Sequence, residues 1–186
     1  MKAILCLLCV LFIPVQSNQV GSVIIASGDT IIRKDREDQN FGSAHHLTIT
    51  NDLSKRSRIA LIKFDLSHIS DENLGRALLR LSIADVDNER QERDVLIKRI
   101  GSNFDESDIS WNSFESNTDD EEWIKFRVHN DHVGKVGQVD VTSLVLPGED
   151  LYVALHTVDG GHVKFASREH HDTNIHPKLI FLQEEL

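Results

Sequence analysis

Proline is scarce in this 186-residue chain, with only 3, and that excludes a collagen-like or proline-rich fibre. Cysteine is scarcer still: the two present, Cys6 and Cys9, both lie within the first seventeen residues. Without that segment the chain has no thiol, so disulfides, zinc–thiolate sites, iron–sulfur clusters and cysteine catalysis are excluded together. No Asn-x-Ser/Thr sequon occurs, so N-linked glycans are not expected. Basic residues are in deficit, 20 Lys and Arg against 30 Asp and Glu, for a formal charge of −10. A nucleic-acid binder needs clustered cations to meet phosphates, so that class is disfavoured. There is no Gly-x-Ser-x-Gly elbow, no zinc-protease histidine spacing and no calcium-loop signature. After the first seventeen residues, no apolar run approaches the ~20 residues needed to span a bilayer.

Those first seventeen residues form a unit of their own. Lys2 supplies a positive start, Ala3 to Ile13 is an uninterrupted apolar run, and Pro14 breaks it before Val15-Gln16-Ser17. The pattern predicts a secretory signal peptide over 1–17 and a secreted, extracellular mature chain over 18–186, with no membrane insertion once the signal is gone. Losing Lys2 takes the formal charge from −10 to −11. Hydrophobic residues make up 40% of the chain, enough for a packed core. At roughly 170 residues one domain without disulfides is feasible, since a domain of that size buries about 70% of its unfolded surface.

The mature chain reads as a succession of short strands, because apolar residues recur with period two. Ala60, Ile62, Phe64 and Leu66 are predicted to face inward against Leu61, Lys63 and Asp65. Ala77, Leu79, Leu81 and Ile83 repeat the pattern, as do Ile124, Phe126 and Val128, Leu151, Val153 and Leu155, Val163 and Phe165, and Leu179 and Phe181. Turn-rich or charged stretches separate them, and one short helical turn is allowed after Asp140. The acidic run Asp119 to Glu122 reads as a solvated loop. Eight or more strands with no helices between them predict an all-β, jelly-roll-like antiparallel β-sandwich in a single domain.

The order of several short motifs then points to a family. Gly28-Asp29-Thr30-Ile31-Ile32 is followed by Asn40-Phe41-Gly42, then by Arg58 to Ser67 and Ala77 to Leu81. Asp108-Ile109-Ser110-Trp111-Asn112, Val139-Asp140-Val141-Thr142, Phe165 to Glu169 and Pro177-Lys178-Leu179 complete the set. No single motif is specific, but the sequence of them resembles carbohydrate-binding module family 96, the DNRLRE domain, from Ala26 to Phe181. The resemblance implies a jelly-roll sandwich from secreted polysaccharide-active proteins, some of which bind acidic polysaccharides. It departs from the family at Phe104, where a tryptophan is common, and no catalytic domain accompanies it here. A non-catalytic module is therefore expected, with no catalytic residues.

Sugar recognition needs an aromatic face for the apolar side of a pyranose and polar forks for hydroxyls or carboxylates. The alternation over 123–129 predicts Trp123, Lys125, Arg127 and His129 on one outward face. Lys63 and Arg80 are candidates to extend it across neighbouring strands. Such a face suits an acidic, uronate-containing polysaccharide. Trp111 is read as a core plug, and Arg168 and Glu169 as partners of Asp65 or Asp140. The histidines at 45–46, 129, 132, 170–171 and 176 are read as solvated rather than metal-binding. No cofactor is expected, with calcium left open at Asp29 and the acidic loops. Two readings compete with this one: an extracellular structural or adhesive protein, and a small polysaccharide lyase.

Overall fold

The computed structural model describes residues 19–51, 56–69, 75–87, 91–101, 103–114, 123–158 and 160–183. The expected signal peptide and the acidic run at 119–122 lie outside them. The strands are β1 (Gln19–Ile25), β2 (Gly28–Arg33), β3 (His46–Thr50), β4 (Arg58–Phe64), β5 (Arg76–Val86), β6 (Glu92–Arg99), β7 (Ile124–His129), β8 (Val136–Asp140), β9 (Leu151–Thr157), β10 (His162–Ala166) and β11 (Lys178–Gln183). No α-helix occurs among the described residues, and none of their helices is long and apolar enough to cross a membrane. The helical turn allowed after Asp140 is a 3-10 turn at Thr142–Leu144.

Every pairing is antiparallel. One layer runs β1–β11–β5–β8, and the other runs β7–β6–β9–β4–β2. The long strand β5 joins them, because its far end at Ile83–Val86 leaves the first layer and pairs with β10, which pairs in turn with β3. β1 and β11 lie side by side from Gln19↔Gln183 to Ile25↔Lys178. The residues of period two meet between the layers: Leu47, Ile49, Ile62, Phe64, Leu79, Leu81, Ile97, Val153, Leu155, Phe165 and Phe181 share one buried core. Each such side chain contributes about 1.5–3 kcal/mol through burial. The expected jelly-roll-like β-sandwich is the observed architecture.

A second, smaller core lies on the outer face of β2, β4 and β9. Ile32, Leu61, Ile100, Phe104 and Ala154 are buried there, with Ile59, Ile109, Trp111, Phe114 and Tyr152 packed against them. Leu61 and Ala154, outward by alternation, are 0% and 2% exposed. The cause is Ile100 and the segment 103–114, which folds over that face and brings its own apolar side chains. Trp111 is therefore half-buried against this outer core and does not plug the main one. Asn40 clamps the segment: its Nδ2 donates to the Glu106 carbonyl at 2.8 Å and to the Ile109 carbonyl at 3.0 Å, while its Oδ1 accepts the Gly42 N–H at 2.9 Å.

The same segment corrects the expected partner of Arg168. The guanidinium donates to Glu106 Oε2 at 2.8 Å, because the chain leaves β10 toward β2 and the covering segment. Asp140 instead pairs with Arg76 at 2.7 Å, and Asp65 accepts the Ser67 N–H. Beside this pair, Asp29 is 1% exposed. Its Oδ2 accepts the Arg168 N–H at 2.7 Å and its Oδ1 has no hydrogen-bond partner. Burial, the dominant influence, pushes its carboxyl from 3.8 up to about 7.

Candidate functional site

The outer face of the second layer carries the candidate site. Strand register aligns Thr30 with Leu61, Leu61 with Ala154, and Ala154 with Lys98. Trp123 immediately precedes β7 and extends this row beyond Lys98. The covering segment approaches from the other side and brings Trp111 and Phe114. Between them is a cavity of about 350 Å³ lined by Ile59, Lys98, Trp111, Phe114, Trp123, Ala154 and His156. That volume lies within the ~300–1,000 Å³ range of small-ligand sites.

The wall of this cavity combines apolar area with polar atoms held in place. Trp123 keeps 39% of its surface exposed, and its ring meets His156 edge-on with centroids 4.7 Å apart. The Lys98 ammonium stands 4.6 Å from the Trp123 ring centroid, although Lys98 as a whole is only 6% exposed. An ammonium over an indole face is held by the ring quadrupole. Burial, the largest influence, lowers the His156 pKa below its ordinary value of 6.5, so the ring is neutral at physiological pH. Its Nδ1 lies 2.9 Å from the Thr157 carbonyl oxygen. A carbonyl only accepts, so Nδ1 carries the proton and Nε2 is left as an acceptor. The site thus offers two indoles, one buried cation and one neutral imidazole acceptor.

The strip predicted along β7 is also present, with a different electrostatic character. Lys125 and Arg127 project outward while Val128 is buried and Phe126 half-buried. Both cations are taken up by β6. Asp94 accepts Lys125 Nζ at 3.0 Å and Arg127 Nε at 2.8 Å. Arg127 also reaches Glu92 at 3.4 Å, and His129 lies 3.9 Å from the same carboxylate. Hydrogen bonds from Arg127 and Lys125 hold the Asp94 carboxyl below the usual range. Two carboxylates therefore neutralise a strip that sequence alone presents as basic.

The remaining candidates do not extend it into one surface. Lys63 is in the second layer, but its ammonium bonds Asn103 Oδ1 at 3.1 Å and faces the Tyr152 ring at 5.4 Å, under the covering segment. Arg80 pairs with Lys178 and Gln138 in the other layer, so it does not share a sheet with Trp123. Lys98, His156, Trp111 and Phe114 line this cavity and were not among the binding residues expected from the sequence. Lys98 and His156 occupy outward positions of strands whose neighbours only the register reveals.

The histidine groups serve local structure. His45 Nδ1 lies 2.6 Å from the Glu169 carbonyl and His176 Nε2 lies 2.7 Å from that of His170. His170 and His171 stack at 4.2 Å. Among the described residues, no three or more His, Cys, Asp or Glu side chains converge as a metal site would require.

Comparison with known proteins agrees with this architecture. No curated protein matches the chain. A family model described as carbohydrate-binding module family 96 matches residues 21–183, from within β1 to the end of β11. A match over that span shows that the chain belongs to carbohydrate-binding module family 96.

Proposed function

We propose that this protein is a secreted, non-catalytic module that holds an acidic, uronate-containing polysaccharide at the cavity between Trp111 and Trp123. The observation that carries this reading is the Lys98 ammonium set over the Trp123 indole inside an aromatic-walled cavity. A pyranose places its C–H face on an indole and its hydroxyls or carboxylate toward the ammonium. His156 Nε2 accepts one hydroxyl proton. The apolar floor at Ile59 and Ala154 excludes water beneath the ring. The module binds without breaking a bond, and the polymer is released intact. Removal of residues 1–17 makes Asn18 the first residue of the exported chain.

Trp123→Ala is expected to weaken polysaccharide binding about tenfold or more, with little effect on the melting temperature because the ring is partly exposed. Isothermal titration against a polyuronate, a sulfated polymer and a neutral polymer checks both the site and the preference. Equal binding by the parent, Trp123→Ala and Trp111→Ala would move the site elsewhere. A falling polymer viscosity or new unsaturated chain ends would replace the binding reading with a lyase. N-terminal sequencing of the exported chain tests the cleavage point.

A further inference from the structure

A second cavity, of about 390 Å³, opens where β3, the start of β4 and β10 meet. It is lined by Thr48, Thr50, Arg56, Arg58, Asp87, Gly160, His162 and Lys164. Its charge is lopsided. Lys164 donates to Asp85 at 2.7 Å, His162 lies 3.1 Å from the same carboxylate, and Arg93 lies 3.1 Å from Asp87. These contacts use both carboxylates of the β5 end. Arg58 is left with a buried Nε that has no hydrogen-bond partner. Asp35 acts on Arg58 only through space, since two hydrogen bonds hold its carboxylate on Arg33 at 3.0 and 2.6 Å. Burial, and then the charge of Arg33, lowers the Arg58 pKa, with Arg56 adding in the same direction. The rest of the half-buried Arg58 side chain lines the cavity wall, and a partly desolvated guanidinium beside other cations is costly unless an anion meets it.

We infer that this cavity is a second subsite, which takes an anionic oxo group of the polysaccharide, a uronate carboxylate or a sulfate ester, on the Arg58 guanidinium. Arg56 and Arg33 supply the surrounding positive field, and a planar guanidinium matches such a group through paired N–H bonds. The inference rests on the polysaccharide reading above and adds a distinct place on the molecule. Arg58 lines this cavity and Ile59 lines the aromatic one. Their Cα atoms are about 3.8 Å apart, and consecutive strand residues point to opposite faces. The two subsites therefore sit back to back across the start of β4.

The test compares the parent, the Arg56→Ala/Arg58→Ala double variant, Arg58→Lys and Trp123→Ala. Binding is measured to a polyuronate, to the same polymer with its carboxyls reduced to alcohols, and to dextran sulfate. The double variant is expected to lose about tenfold in affinity for the polyanions and nothing for the reduced polymer. Arg58→Lys, which keeps the charge without the fork, is expected to fall between. Loss confined to dextran sulfate identifies the group as a sulfate ester, and loss confined to the polyuronate identifies a carboxylate. Unchanged polyanion binding by the double variant, with loss in Trp123→Ala, overturns this subsite and leaves the function standing. If the parent binds no polysaccharide, the function fails and inorganic sulfate decides the subsite. Sulfate should raise the melting temperature of the parent above that in chloride of equal ionic strength by more than it raises that of the double variant. Equal shifts in both proteins overturn the anion site.

Discussion

Replacing Gly42 with alanine is expected to destabilise the protein by about 3 kcal/mol and to impair ligand binding, although residue 42 touches no part of the aromatic cavity. A Cβ at this position would overlap the main-chain carbonyl oxygen of Glu106. That oxygen cannot swing aside as a side chain would, because Asn40 Nδ2 holds it at 2.8 Å. The whole covering segment must move instead. Trp111 and Phe114 ride on that segment, so their wall of the cavity shifts with it. Urea unfolding followed by tryptophan fluorescence measures the first effect, and titration with the polysaccharide the second. A variant within about 0.5 kcal/mol of the parent that binds normally would show that the segment is not clamped in this way.

Asp29→Asn is expected to stabilise the protein at alkaline pH and to flatten its pH dependence. The carboxyl titrates near 7 in the fold against an ordinary 3.8. Below pH 3.8 the folded and unfolded chains are both protonated, and the stability contribution is full. Between 3.8 and about 7 the fold retains a proton that the unfolded chain releases, so stability falls as pH rises, then levels off. Three pH units correspond to at most about 4 kcal/mol. Asparagine keeps an oxygen for the Arg168 N–H and carries no charge, so it avoids that fall. Its amide donors sit where Asp29 Oδ1 has no partner, which subtracts about 1–3 kcal/mol from the gain. Urea midpoints of parent and variant at pH 5 and pH 8 test this. A parent whose stability does not decline between those values contradicts the assignment.

The β-sandwich was legible because period-two alternation depends only on neighbours along one strand. Phe64, Leu79 and Phe165 face inward for that local reason. Properties set by distant segments were not legible. Leu61 and Ala154 are buried by Ile100 and residues 103–114, about forty or more positions away in sequence, and no alternation encodes that cover. The face of Trp123 follows from alternation, but the neutralisation of Lys125 and Arg127 depends on β6 lying alongside with Glu92 and Asp94 outward. Arg80 and Lys63 have similar local patterns yet occupy different layers, because strand order is a property of the folded topology. Lys98 was legible as a strand residue, and its place in the cavity wall was illegible for the same reason.

The pairing of β1 with β11 has a mechanical consequence. Gln19 and Gln183 are opposite one another, so the two ends of the described chain emerge at the same pole. A pull applied between them loads the outermost rung first and peels the ladder rung by rung, as a zipper opens, rather than shearing all its hydrogen bonds together. Tension carried through both ends would open that seam at low force. A load applied between one end and a polysaccharide held on the opposite layer would instead be borne across the interior.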